Sequence, residues 1–366
     1  MSIFGGKKQE SSAALLGVDL GTTGLKVVEL APEGGKVRLV TYGYADVPVD
    51  QDANATLSLD NPKKVADVLR AIIKESGMKA TKAVASLPAS SVFHAIINIP
   101  TPKSDKEDIR PAVETQTAKL LPLPIAEMII DSHVIDDASS GTSGGAEAPS
   151  RTVRVQVTAA PKALVEKYIT VFKLAKIELI SLETEVFALM RSLVGKDTAR
   201  VMIVDIGGER TNIVVAERGV PYLTRGTKMG GNAVTQALAS TMSLGLLEAE
   251  STKKDLSQRS GATMPPVILT AMKPLLHEVH YSLQMSIEEG NSHTASINKV
   301  ILTGGSAGLV GLDAAMTSVL NVNVYIGDPW ARIATPPQSR AVLDDIGSRF
   351  SVAIGLAMRV MNEKDR

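Results

Sequence analysis

Two stretches place an aspartate at the end of an apolar run, directly before a glycine turn. Leu15-Leu16-Gly17-Val18-Asp19-Leu20 runs into Gly21-Thr22-Thr23-Gly24, and Val201-Met202-Ile203-Val204-Asp205-Ile206 runs into Gly207-Gly208. Glycine turns expose backbone N–H groups, and such a nest takes an anion without positive side chains. Thr22, Thr23, Thr211 and Asn212 add neutral donors. A carboxylate beside a phosphate repels it, so Asp19 and Asp205 suit a phosphate only with a divalent cation between. Mg²⁺ keeps most of its waters and tolerates two such outer ligands. Either hairpin alone reads equally well as a tight turn with no ligand. The pair is more specific, because two nests can grip a polyphosphate from both sides.

A third element, Val300-Ile301-Leu302-Thr303-Gly304-Gly305-Ser306, reads as strand, glycine turn and then helix. Gly304 and Gly305 let a flat group approach the backbone, and Ser306 can donate a hydrogen bond. Following two Asp-containing hairpins, it suits a nucleoside. Other chemistries are poorly represented. His277 and His280 lie about one helical turn apart but have no third ligand near them in sequence. There is no Walker sequence.

The elements that must position these residues form a repeat. A phosphate loop of the βα kind leads into a helix, but Leu25 to Leu30 continues as strand. The first hairpin aligns with the second without a gap: Asp19 falls on Asp205, Gly21 on Gly207, Thr22 on Gly208, Thr23 on Glu209 and Gly24 on Arg210. Such a duplication predicts two similar lobes facing one ligand. Residues 15–44 and the stretch from Arg200 each read as three strands. Residues 61–76 read as a helix, with Asn61 as N-cap, Pro62 at the first position and Gly77 at the end. A second helix is expected behind a Ser104/Glu107 capping box. Residues 137–150 read as a Gly-rich loop between strands. A helix-rich region is expected from Asn232 to Gly290, and an apolar final helix should pack back on the core.

The bulk composition bounds the class. A chain of 366 residues exceeds one small core. Hydrophobic residues make up 44%, Lys+Arg and Asp+Glu are both 39, and there is no Cys. The balanced charge argues against nucleic acid as a main partner. The lack of Cys excludes thiol catalysis and disulfides, which suits a reducing cytoplasm. No apolar run reaches the roughly 20 residues of a membrane span. The first residues carry no signal peptide and are expected to be a flexible tail.

Two Asp-containing phosphate hairpins followed by a late Gly-Gly motif resemble the superfamily of actin, the heat-shock chaperone ATPases and the sugar kinases. The chain is more closely similar to the PilM family of type IV pilus assembly proteins, relatives of the division protein FtsA. The likeness runs from about Leu15 to Met361. It includes the helix and Leu121-Pro122-Leu123-Pro124 kink before Glu127, and Gly219-Val220-Pro221-Tyr222 onward.

The resemblance implies an α/β, actin-like (FtsA-type) two-lobed fold with an inserted SHS2-type subdomain, called 1C. It implies a tail at 1–12, subdomain 1A at 13–86 plus 161–198, 1C at 87–160, and a second lobe at 199–366 whose C-terminal helix returns to the core. It further implies a cytoplasmic protein that binds ATP with Mg²⁺. Such a protein takes the cytoplasmic N-terminal tail of the inner-membrane protein PilN in a groove beside 1C, joins other pilus machine components, and so sits peripherally at the inner membrane. Homo-oligomerisation is left open. By motif, Gly21, Thr22, Thr23 and Lys26 look like the first phosphate loop, and Gly207, Gly208, Thr211 and Asn212 like the second. Gly304, Gly305 and Ser306 look like the adenosine motif. Gly230, Gly231 and Asn232 resemble the turn opening the helical subdomain. Glu250 and Lys253 either flank the adenine or ribose, or form an exposed ion pair. Asp19 and Asp205 are expected to hold Mg²⁺ through water.

Where relatives carry small residues, this chain has Glu209 and Arg210; Arg210 either meets the terminal phosphate or faces solvent. No motif marks a residue that orients an attacking water. Glu114 and Glu183 are candidates only in principle, so ATP is expected to act as a conformational ligand before a fuel. An FtsA-like filament protein is the alternative. Such chains end in an amphipathic membrane helix, whereas this sequence runs from its core helix into Met361-Asn362-Glu363-Lys364. A sugar or acetate kinase would need a substrate motif, and none is seen.

Overall fold

Asp19 and Asp205 end matching strands of two similar sheets. The computed structural model describes residues 14–49, 57–101, 108–137, 152–258, 263–289 and 296–359. The expected tail, the Ser104/Glu107 capping box and the Gly-rich segment beyond Asp137 lie outside the described residues.

The first meander is β1 (Leu15–Gly21), β2 (Gly24–Glu33) and β3 (Lys36–Asp46), followed by α1 (Pro62–Glu75) and β4 (Lys82–Leu87). An inserted module comes next: β5 (Phe93–Pro100), α2 (Arg110–Ala118), β6 (Met128–Asp137) and β7 (Thr152–Pro161). Then α3 (Lys162–Ala175) and β8 (Glu178–Thr184) complete the lobe, and α4 (Glu185–Leu189) leads out through a π-turn at Met190–Val194. The second meander is β9 (Val201–Ile206), β10 (Thr211–Glu217) and β11 (Val220–Thr227). After it come α5 (Gly231–Met242), α6 (Leu246–Ser257), α7 (Pro266–Glu289), β12 (Lys299–Thr303), α8 (Leu312–Leu320) and β13 (Val324–Ile326). The remaining elements are β14 (Ile333–Ala334), α9 (Arg340–Ile346) and α10 (Ser351–Ala357).

Among the described residues the strands form three sheets, ordered β14-β3-β2-β1-β4-β8, β11-β10-β9-β12-β13 and β5-β7-β6. The run β3-β2-β1-β4-β8 matches β11-β10-β9-β12-β13 strand for strand. In each, an antiparallel hairpin adjoins a parallel pair. The central strands are buried on both faces, which is why Leu15–Val18 and Val201–Val204 read as unbroken apolar runs rather than alternating ones. Helix α1 forms as its caps direct: the Asn61 side chain accepts from the Lys64 N–H at 3.2 Å, Pro62 occupies the first turn, and Gly77 takes φ +65° beyond its end.

The lobes share a core. Val352 and Leu356 of α10 cluster with Leu15, Val186 and Leu189 and with Ile203, Val214 and Ile301 of the second sheet. Helix α10 is buried along its whole length. It comes this close because two contacts lack a side chain: a Cβ on Gly17 would stand 1.9 Å from the Ala353 carbonyl oxygen, and one on Gly355 1.9 Å from that of Ala188. The return to the first lobe also involves Trp330, β14 and α9. Trp330, Ile333, Leu343 and Phe350 pack with Val28, Leu30 and Leu39, and β14 pairs parallel with β3.

Candidate functional site

The two hairpins converge tip to tip. In the first, Asp19 faces Lys26 across the ladder, with Nζ 3.9 Å from the carboxylate, and the Ser86 hydroxyl donates to Asp19 at 3.0 Å. In the second, Asp205 faces Asn212. Gly21 pairs with Gly24 at one tip, and the Gly207 N–H donates to the Arg210 carbonyl at 2.9 Å at the other. A Cβ on Gly208 would lie 2.5 Å from the Thr23 methyl, so the tips touch. Between the sheets lies a cavity of about 80 Å³ lined by Asp19, Gly21, Thr22, Thr23, Lys26, Asp205, Gly207, Gly208, Asn212, Gly304 and Gly305. Pro88, Glu185, Arg210 and the segment Ser348–Val352 close its walls.

Carboxylates dominate the floor. Glu185 opens α4, and its Oε2 accepts from the Ala89 N–H at 3.0 Å and from the Asn212 amide at 2.9 Å. Burial, reinforced by the negative charges of Asp19 and Asp205, pushes the Glu185 pKa up to about 8. Burial and then Asp19 push Asp205 up to about 6. Three acids thus share a poorly hydrated floor with one nearby ammonium. Among the described residues no three such groups close on a single point as direct ligands. The arrangement fits a hydrated divalent cation, held through its waters, better than a caged bare one. The glycine-lined tips, with their neutral donors, fit phosphate oxygens.

Residues 17–361 match the family described as type IV pilus assembly protein PilM. The chain belongs to this family.

Solved structures place the PilM-family chain in the actin-like ATPase fold. A structure described as "PilM-PilN type IV pilus biogenesis complex" matches with TM-score 0.77 and 24% identity, covering 96% of this chain and 99% of that one. The ethanolamine utilization protein EutJ from Carboxydothermus hydrogenoformans matches with TM-score 0.52 and 18% identity, covering 95% and 90%. MreB 5 of Spiroplasma citri bound to AMPPNP matches with TM-score 0.52 and 14% identity, covering 97% and 97%.

Not every residue expected from the sequence of this PilM-family chain reaches the cavity. Thr211 points to the opposite face of β10 from Asn212, as strand alternation requires, and its hydroxyl donates to the Met229 carbonyl at 2.7 Å. Ser306 is turned onto the second hairpin: its N–H donates to the Ile206 carbonyl at 3.0 Å and its hydroxyl to that of Gly207 at 3.2 Å. The Gly231 and Asn232 N–H groups donate to the Gly207 and Gly208 carbonyls at 2.9 and 2.8 Å. The turn from Gly230 therefore braces the second hairpin from behind. Lys253 is 8% exposed, so it is not a surface ion pair. Its ammonium donates to Glu250 at 2.5 Å, to Thr235 at 2.9 Å and to the Gly231 carbonyl at 3.3 Å. Burial lowers its pKa. These residues form a buttress rather than a lining.

Glu185 is the residue that sequence reasoning missed. Glu183, two positions earlier, is fully buried and paired with Arg191 at 2.5 Å. Glu114 lies on the exposed side of α2. The signal for Glu185 was its place at a strand-to-helix junction, visible only once β8 and α4 are located.

A second, larger cavity of about 880 Å³ lies where the inserted sheet meets α4 and the turn after it, the β10–β11 turn at Gly219-Val220, and Arg332. Ile135 and Gln156 line one side, and Phe187, Met190, Arg191 and Arg332 the other. No helix among the described residues is long and apolar enough to cross a membrane.

Proposed function

We propose that this PilM-family chain is a cytoplasmic, nucleotide-binding scaffold of the type IV pilus machine, holding ATP with Mg²⁺ in the interlobe cleft. The supporting observation is the pair of glycine hairpins facing each other across a floor of Asp19, Asp205 and Glu185. Backbone N–H groups and Lys26 would hold the phosphates, Asp19 and Asp205 the hydrated cation, and Gly305 the nucleoside side, where a Cβ would meet nothing within 4 Å. Mg²⁺ would supply charge neutralisation between phosphates and carboxylates. The cavity is too small for a whole nucleotide, and Thr23 touches Gly208, so entry requires the hairpin tips to part. Of the candidate carboxylates, Glu185 lines the cleft, where it can hold a water beside the phosphates; Glu114 and Glu183 do not line it.

The inserted sheet, residues 87–160, is proposed as subdomain 1C, and the cavity beside it as the seat of a PilN-like N-terminal tail. Its volume suits an extended peptide, and Ile135, Phe187 and Met190 on its walls offer contacts for apolar side chains. The likeness to the PilM-PilN complex supports the occupant. Partner binding would keep the protein at the inner membrane. Calorimetry with a PilN-type tail peptide, with and without ATP and Mg²⁺, tests both sites. Peptide and ATP heats, with ATP affinity dependent on Mg²⁺, are expected. Nucleotide binding without peptide binding would remove the pilus-adaptor part, and neither would remove the whole reading.

A further inference from the structure

We infer that Arg210 discriminates nucleoside triphosphate from diphosphate, exchanging an interlobe hydrogen bond to Ser90 for the terminal phosphoryl group. The inference rests on nucleotide binding in the cleft. Arg210 sits at the tip of the second hairpin, lines the cavity, and stands where the repeat places Gly24 in the first. Its Nη1 donates to the Ser90 hydroxyl at 2.7 Å, across the cleft from one lobe to the other. Ser90 belongs to the short turn Ala89–Ser91, between β4 and the inserted sheet. The neighbouring Ala89 N–H is held by Glu185. The latch therefore joins the second phosphate hairpin to the edge of the first lobe, directly over the cavity floor.

The chemistry makes this contact replaceable. A guanidinium presents five donors in a fixed fork and is always charged, and a neutral hydroxyl is a weak match for it. The ion pairs of the described residues leave Arg210 without a carboxylate within 4 Å. By contrast, Arg349 on the opposite wall is committed to Asp46 and stacks over Tyr44. Phosphate oxygens give the guanidinium an acceptor that is itself charged and often bidentate, where the Ser90 hydroxyl offers a single neutral oxygen. The charges facing Arg210 from the floor are Glu185, with Asp19 and Asp205 beyond it and Lys26 on the first hairpin. A diphosphate lacks the group that would reach the second tip, so it leaves the Ser90 contact in place. The third phosphate competes for it.

The test is the ratio of ATP to ADP affinity, measured by calorimetry with Mg²⁺ on the full chain. Arg210→Ala is expected to weaken ATP about tenfold or more and ADP less than about threefold, the loss of one charge-assisted contact. Arg210→Lys should restore part of the ratio, since it keeps the charge and loses the fork. Ser90→Ala removes the competitor and should strengthen ATP about two- to fivefold while leaving ADP unchanged. Both positions are at the surface, and far-ultraviolet circular dichroism confirms that the variants fold. Equal losses for ATP and ADP in Arg210→Ala, or no change in either, would overturn the inference. Failure of the unaltered protein to bind either nucleotide would overturn the cleft reading itself, before any variant is made.

Discussion

The two glycine hairpins share a backbone and differ in charge. Opposite its aspartate the first carries Lys26, and the second carries Asn212. Asp19 is balanced by an adjacent ammonium and by the Ser86 hydroxyl, whereas Asp205 bonds a neutral amide and feels the Lys26 charge only from across the cleft, against the repulsion of Asp19. The strand after each hairpin diverges as well. Following the register Val18↔Ala85 and Thr303↔Asp205, Leu87-Pro88 in the first lobe occupies the place of Gly304-Gly305 in the second. Duplication thus supplies two equivalent cradles, and substitution assigns them unequal work. On the proposed reading, the first would be preset for phosphate, the second would depend on a cation, and only the second would open toward a flat nucleoside.

Breaking that asymmetry should have graded effects. The largest is at Gly304, which takes φ +91° and whose added Cβ would lie 2.4 Å from the Ile206 carbonyl oxygen and 2.6 Å from an Asp205 carboxylate oxygen. Gly304→Ala is expected to cost about 3 kcal/mol in urea denaturation; a cost under about 1 kcal/mol would show that the turn can relax.

Next comes acid sensitivity confined to the first lobe, which alone carries the insertion. His94 on β5 bonds Gln156 at 2.7 Å and packs against Phe187, and burial lowers its pKa to about 4. The unfolded chain protonates at about 6.5. The His94 contribution is therefore full above that value and is lost as pH falls toward 4, by about 2 kcal/mol after allowance for partial exposure. Thermal melts of the unaltered protein and His94→Gln between pH 7 and 4.5 should converge at the acid end. Parallel curves would rule this out.

A somewhat smaller effect is expected at the preset cradle. Lys26→Ala should weaken ATP binding about tenfold by calorimetry, whereas Asn212→Ala should change it about threefold or less. The finest test gives the second hairpin the partner of the first. Asn212→Lys should cut the Mg²⁺ dependence of ATP affinity by about threefold, because the ammonium takes over part of the cation's task.

Much of this plan was legible in the sequence because it rests on spacing. The two Asp-x-Gly turns, the late Gly-Gly and the Asn61-Pro62 helix start each report a backbone requirement that few residues satisfy. What stayed hidden depends on direction and convergence. Thr211 and Asn212 are adjacent and equally polar, and only the pleat decides that Asn212 faces the cleft. Glu183 and Glu185 are indistinguishable by type, yet one serves an internal ion pair and the other closes the cavity floor, because the strand ends between them. The wall at Ser348–Val352 and the groove around Phe187 and Arg332 are assembled from segments far apart in the chain, and no local pattern announces them.

Helix α10 and strand β14 have a consequence for biosynthesis. Val28, Leu30 and Leu39 are completed by Trp330, Ile333 and Phe350, about three hundred positions later. At roughly 5–20 residues per second, a ribosome needs about 15–60 s to deliver those partners. Through that interval the first sheet has an unfilled apolar face and an open edge. Its closure belongs to the slow, long-range class of folding events. The second lobe, by contrast, holds its own cluster within residues 202–324 and can consolidate before the first is finished.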